Sequence, residues 1–103
     1  MINIVKNFND DVKKVINFIE ADRLEEARRF FNDVIFKKYG KYVRDKESPL
    51  VFFEIFFTEL DEYLNSEGAR ISGSVSKDEI IGSYYSDYQE DLKLAIEKEK
   101  NKG

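Results

Sequence analysis

The chain has 103 residues, a net charge of −4, and 42% hydrophobic and 37% charged residues, as expected of one soluble globular domain. It contains no cysteine or histidine, which excludes disulfides, thiolate chemistry and the usual zinc ligands. The first residues lack the apolar core of a secretory signal, and the most apolar stretch, residues 50–57, is interrupted by Glu54 and is too short to span a bilayer. We therefore expect a single cytoplasmic domain over residues 1–103, with a lysine-rich tail that frays from about residue 98.

The spacing of apolar residues predicts the first two helices. Apolar side chains recur three or four positions apart between residues 12 and 19, and Asn9 is the expected N-cap of this helix. The second helix is expected to begin with Asp22 as its cap, because Glu25 follows three residues later and can reach back to it. Gly40 marks its predicted end, since glycine commonly follows the last helical turn.

The third helix has the clearest predicted start, because Ser48 is a natural N-cap and Pro49 suits the first helical position. On a helical projection one broad side is entirely apolar, and it consists of Leu50, Phe53, Phe56, Phe57, Leu60 and Leu64. The opposite side carries Val51 and Ile55. Two interpretations of this second side stay open: coverage by the rest of the bundle, or an exposed centre of an interface.

The fourth helix is predicted to begin at Ser76, which forms a capping box with Glu79. Gly82 weakens this helix and makes a break near it conceivable. Residues 65–75, rich in serine and glycine, are a predicted loop in which a brief strand pair is an alternative. No longer segment alternates with a period of two residues. We therefore predict an all-α fold, a compact antiparallel bundle of about four helices.

Charge is distributed unevenly along the chain. Between Ser48 and Leu92 there are ten acidic residues and two basic ones, Arg70 and Lys77, whereas basic residues outnumber acidic ones in both flanks. Such a segment attracts cationic partners and repels nucleic acid. The alternative is an ordinary solvated surface. The acidic residues expected to contact a partner are Glu54, Glu59, Asp61, Glu62, Glu67, Asp87, Glu90 and Asp91.

Apolar anchors would be needed beside these acids, because charge alone gives little affinity. Val51 and Ile55 are candidates, together with one of the adjacent tyrosines Tyr84 and Tyr85, since tyrosine is enriched at interface hot spots. The alternative for the tyrosines is burial at the edge of the core with their hydroxyls hydrogen-bonded.

Motifs of known catalytic sites are missing from the sequence. There is no phosphate-binding loop, dinucleotide fingerprint or nucleophile elbow. Glu59, Asp61 and Glu62 are close in sequence, but a magnesium or calcium site requires oxygens that converge on one point. We therefore expect a protein that is not an enzyme and has no cofactor and no metal site.

Three segments resemble bacterial toxin-immunity proteins. The run Phe-Thr-Glu-Leu-Asp-Glu-Tyr at residues 57–63 and the acidic amphipathic helix of residues 87–98 resemble colicin D-like self-protection proteins. Tyr-Tyr-Ser-Asp at residues 84–87 resembles the adjacent tyrosines of colicin DNase immunity proteins, although it lacks their proline between tyrosine and serine. Immunity proteins of contact-dependent growth inhibition systems are similar in size and character. The resemblance covers residues 52–98 and does not separate these three groups.

The resemblance implies an acidic toxin inhibitor, that is, a bacteriocin-immunity protein or antitoxin. It would block the basic active-site cleft of a cognate nuclease that cuts tRNA, other RNA or DNA. The expected complex is 1:1 with a monomeric inhibitor, with no direct contact to nucleic acid or a membrane. Two alternatives stay open: a phage-type anti-defence protein that mimics nucleic acid, and a non-catalytic helical module that dimerises through apolar faces.

Overall fold

The computed structural model describes residues 2–67 and 76–101, and every regular element in these two ranges is helical. The α-helices are α1 (Ile2–Glu20), α2 (Leu24–Phe30), α3 (Lys37–Val43), α4 (Glu54–Asn65) and α5 (Tyr85–Asn101). Two π-helical turns, Phe31–Phe36 and Glu79–Tyr84, and a 3₁₀ turn, Val51–Phe53, connect or precede them. The elements form four continuous helical rods, residues 2–20, 24–43, 51–65 and 77–101 in chain order, which confirms the predicted all-α fold. No helix within these ranges is long and apolar enough to cross a membrane.

One hydrophobic core joins the four rods. α1 packs against α2 and the Phe31–Phe36 turn, while α5 packs against the 3₁₀ turn, α4 and α1. The centre of the core is aromatic: Phe8 stacks on Phe53 with ring centroids 5.4 Å apart, and Phe56 stacks on Tyr88 at 4.9 Å. Each such ring pair stabilises the core beyond its area burial by about 0.5–1.5 kcal/mol. The predicted apolar side of the third helix is confirmed, because all six of its residues are buried.

α1 begins at Ile2, so the predicted N-cap at Asn9 is wrong. Val5 and Phe8 extend the apolar stripe toward the N-terminus and are both buried in the core. Tertiary burial of such a face is the main source of helix stability in proteins, and here it adds turns before Asn9. Asn9 lies inside the helix, where its side-chain oxygen accepts a hydrogen bond of 2.7 Å from the Tyr88 hydroxyl of α5.

Asp22 ends α1 and does not cap α2, so its predicted role is also wrong. Its backbone has φ 60°, in the left-handed region that aspartate tolerates better than most residues. The Asp22 amide donates to the Ile19 carbonyl at 3.0 Å and the Arg23 amide donates to the Phe18 carbonyl at 2.9 Å, which is the Schellman pattern of a helix end. Its carboxylate accepts a hydrogen bond of 2.8 Å from Lys77, and this bond ties the turn to the fourth rod.

The second rod continues through Gly40 to Val43, so its predicted end at Gly40 is wrong. Tyr39 and Val43 flank the glycine, and both side chains are buried in the core. Burial of two large side chains outweighs the helix penalty of one glycine, which is about 1 kcal/mol.

The predicted cap of the fourth rod is confirmed, whereas the predicted start of the third is wrong, because that rod begins at Val51 and not at Pro49. Ser76 Oγ accepts a hydrogen bond of 3.1 Å from the Glu79 amide. Ser48 Oγ accepts one of 3.1 Å from the Leu50 amide, but this bond lies in the turn that precedes the third rod, and the N-cap residue of the rod is Leu50. The fourth rod shows no break at Gly82, which lies within the π-helical turn. Most of the predicted loop, including the alternative strand pair, falls outside the described residues.

Candidate functional site

The outer side of α4 is exposed. Ile55 is 71% exposed, an unusually high fraction for a large aliphatic side chain, and Thr58 and Glu62 beside it are exposed as well. Val51 is half-buried in the preceding 3₁₀ turn. Of the two interpretations of this side of the helix, the structure therefore favours an exposed face over coverage by the bundle.

Six carboxylates from α4, the second π-helical turn and α5 lie together beside this face. We call them the acidic surface: Glu59, Glu62, Glu79, Asp87, Glu90 and Asp91. Tyr84 lies among them, and the negative charge of Glu59 is the largest cause of a raised pKa at its hydroxyl. Burial and then three further members of the surface raise this pKa in addition. Electrostatic coupling of one hydroxyl to four carboxylates shows that residues from three elements converge here.

Two members of the acidic surface have raised pKa values of their own. Burial raises the pKa of Glu59, and the charges of two neighbouring glutamates raise it further. Burial also raises the pKa of Asp91, with additional contributions from Asp87 and Glu90. Both causes disfavour the ionised carboxylate. The surface therefore holds negative charges that repel one another.

Basic residues do not neutralise these carboxylates within the described ranges, where the ion pairs that form involve other acids. Lys77, one of the two bases in the acidic half of the chain, pairs with Asp22 on the α1–α2 turn. Lys98 lies over the ring of Phe52, with 5.3 Å between its Nζ and the ring centroid. The negative field of the surface is consequently directed toward solvent.

A groove of about 250 Å³ runs between α4 and α5 along the acidic surface. Its lining includes Ile55, Tyr84, Asp87, Glu90 and Asp91. A neighbouring groove of about 200 Å³ shares Asp91 and is lined by Lys98 and by Phe52 and Leu94, which are 48% and 60% exposed. Exposed apolar side chains thus adjoin a rim of carboxylates, which is the anatomy of a protein-binding site.

Three of the acidic residues that were predicted to contact a partner do not belong to the acidic surface. Asp61 lies at the opposite edge of α4, where it accepts a hydrogen bond of 2.7 Å from Asn65, and Asn65 in turn pairs with Asn32 of the second rod. Glu54 and Glu67 are exposed, but no contact among the described residues connects them to the acidic surface. The structure therefore brings together five of the eight predicted acids.

The adjacent tyrosines have different environments. Tyr85 stacks on the buried Tyr88 with ring centroids 5.6 Å apart, and burial is the main cause of its raised pKa. Its environment is that of a core-edge side chain, the alternative considered for both tyrosines. Tyr84 instead lines the groove and lies among the carboxylates. Consecutive helical residues point about 100° apart, and this difference places only Tyr84 at the acidic surface.

Sequence reasoning missed Glu79, Phe52 and Leu94 as parts of this region. Glu79 was expected to face outward with Asp87 and Glu90 and to complete the cap at Ser76, but it was not among the predicted contacts. Leu94 follows Asp91 by three residues and Asp87 by seven, and this spacing on one helical face would have identified it. Phe52 has no comparable signal, because it lies within an apolar run whose other members are mostly buried.

In the ranges that the structure describes, no group of three or more acidic side chains is arranged to hold a metal ion. Comparisons of the chain with protein-family models, curated proteins and solved structures give no significant match. The charge, exposure and shape of the acidic surface are therefore the basis for a functional proposal.

Proposed function

We propose that this protein is an immunity protein that binds a cognate antibacterial nuclease toxin and neutralises it without catalysis. The observation that carries the proposal is the acidic surface, whose carboxylates have no ion-pair partner among the described residues and adjoin the exposed side chain of Ile55. A nuclease that binds phosphates presents lysines and arginines in its cleft. The acidic surface is the electrostatic complement of such a cleft.

The proposed complex combines electrostatic steering with an apolar contact. Opposite fields accelerate encounter, which suits an inhibitor that must capture a toxin before it cuts nucleic acid. Affinity then requires desolvated anchors near the centre of the interface. Ile55 and Tyr84 are suitable anchors because both line the groove beside the carboxylates, and half-buried Val51 lies on the same side of the third rod.

Self-association is a weaker explanation for the exposed apolar residues. Two copies that met through Ile55, Phe52 and Leu94 would also bring their acidic surfaces close together. Juxtaposed like charges disfavour an interface by several kcal/mol. The same charges favour a cationic partner, so we assign this surface to a heterocomplex in which the inhibitor is a monomer.

Capture of the partner and measurement of its binding kinetics test the proposal. The nuclease encoded beside this protein's gene should co-purify with it and lose activity in the complex. Its association rate should fall at least about tenfold from low to high salt, because salt screens the opposed charges. A salt-independent association rate, or full nuclease activity in the complex, would contradict the proposed mechanism.

A substitution at Ile55 tests the apolar contact separately. Ile55→Asp should weaken toxin binding by about tenfold or more. The free energy of unfolding should change by no more than about 0.5 kcal/mol, because the side chain is largely exposed. Ile96→Asp is the matched control: Ile96 is also an exposed isoleucine, on α5, but it does not line the groove. Equal loss of affinity in both variants would argue against Ile55 as an anchor.

A further inference from the structure

The groove between α4 and α5 has the size and lining of a binding pocket for one side chain. Its volume of about 250 Å³ is below the roughly 300–1,000 Å³ of pockets that enclose drug-sized ligands. Ile55 and Tyr84 supply apolar surface, and Asp87 and Asp91 supply negative charge. A long cationic side chain has the same two parts, an apolar stem and a charged end.

We propose, building on the proposed function, that this groove binds a single arginine side chain of the toxin. The aliphatic stem lies against Ile55, and the guanidinium group bridges Asp87 and Asp91. These two aspartates are one helical turn apart on α5, and residues at this spacing have neighbouring side chains. A planar guanidinium with five N–H donors can bind both carboxylates at once.

Arginine fits this groove better than lysine. Asp91 is half-buried, and Tyr88 in the floor of the groove is buried, so a bound cation must lose much of its water. Guanidinium is more weakly hydrated than ammonium, and it also stacks on aromatic faces such as that of Tyr84. An ammonium group is a compact, strongly hydrated charge that bridges separated carboxylates less well.

The groove has no cation from the chain itself among the described residues. Lys98 lines the neighbouring groove together with Asp91, but its ammonium group lies over the Phe52 ring and forms no ion pair with Asp91. Burial and the charges of Asp87 and Glu90 raise the pKa of Asp91, which is the effect expected where repulsion is not compensated. A partner's guanidinium would remove this repulsion.

Binding of two synthetic peptides tests the inference without the toxin. Hexa-arginine and hexa-lysine have equal charge, so any difference between them reports the chemistry of the side chain. Titration into isotopically labelled protein at low salt should shift the amide signals of Ile55, Tyr84 and residues 87–91 most strongly. Hexa-arginine should bind about threefold or more tightly than hexa-lysine, as expected from its stacking and bidentate contacts.

Two variants test whether Asp91 causes the preference for arginine. Asp91→Asn should abolish the preference for arginine, whereas Asp33→Asn, which removes an exposed charge on the second rod, should preserve it. Equal affinity for both peptides, or a preference that survives Asp91→Asn, would overturn the arginine site. Toxin binding that is unaffected by Asp91→Asn would also overturn it while leaving the immunity function intact. Conversely, peptide selectivity in the absence of any toxin inhibition would refute only the immunity function.

Discussion

Replacement of Asp91 by asparagine is expected to stabilise the folded protein at neutral pH. Burial and the charges of Asp87 and Glu90 raise the pKa of this carboxyl above its ordinary value of 3.8. The folded state therefore binds the proton more tightly than the unfolded chain does, and stability falls as the pH rises through this range. The penalty is absent well below pH 3.8 and is complete once the pH exceeds the raised pKa.

Burial of the charged carboxylate contributes to the penalty, and the size of the repulsive part follows from the position of Asp91 on α5. A pair of like charges one helical turn apart destabilises a helix by about 0.2–0.5 kcal/mol, and Asp87 and Asp91 form such a pair. Solvent screens the additional repulsion from the exposed Glu90. We expect Asp91→Asn to raise the free energy of unfolding by about 0.5 kcal/mol at pH 7, which corresponds to roughly 2–4 °C in the melting temperature.

Urea denaturation followed by circular dichroism, at pH 7 and at about pH 3, measures this effect. The gain should be present at pH 7 and absent at the lower pH, where the carboxyl is protonated in both states. Asp33→Asn is the control, since it removes one exposed aspartate outside the acidic surface and should show no such gain. A variant that is no more stable at pH 7, or equally stabilised at both pH values, would refute the reasoning.

Three further substitutions test the fold. Tyr39→Phe should destabilise the protein by about 1.5–3 kcal/mol in urea denaturation, because it removes the buried 2.7 Å hydrogen bond that the Tyr39 hydroxyl donates to Asp11. Ser76→Ala should lower the melting temperature by an amount equivalent to about 1 kcal/mol, because the Glu79 amide loses its cap. Gly82→Ala should stabilise by about 0.5–1 kcal/mol, since an added Cβ meets no atom within 4 Å. If one of these variants has the same stability as the original protein, the structural reason given for that variant is wrong.

The acidic surface and the aromatic core have opposite effects on stability. Packing of rings such as Phe8 and Phe53 favours folding, whereas mutual repulsion of the carboxylates opposes it. Sites of function often retain features that reduce stability. If Asp91→Asn gains stability and loses toxin binding, the acidic surface is a functional site that lowers the stability of the fold.

Local sequence signals predicted those parts of the structure that depend on neighbouring residues. Ser76 caps the fourth rod because a serine hydroxyl accepts a bond from a backbone amide three residues later. The buried side of α4 was predictable for a similar reason. Its apolar residues recur at the helical period, and a stripe of that kind must be covered.

Tertiary contacts decided the ends of the first two rods. Asn9 and Asp22 are both good N-cap residues, but Asn9 lies inside α1 because the buried Val5 and Phe8 extend that helix. Asp22 adopts the left-handed conformation that closes α1 and binds Lys77 from a distant part of the chain. The second rod passes through Gly40 because Tyr39 and Val43 are buried on either side.

The sequence by itself determined that the second half of the chain is acidic, helical and equipped with apolar residues on two sides of one helix. Only the tertiary structure decided which acids share a surface. Glu59 and Asp61 are two residues apart, yet Glu59 lies with the carboxylates around Tyr84 and Asp61 faces Asn65 and the second rod. The physical reason is that a helix turns about 200° over two residues, so Glu59 and Asp61 lie on different edges of α4. The packing of the buried side of α4 places the carboxylates around Tyr84 beside one edge and the second rod beside the other.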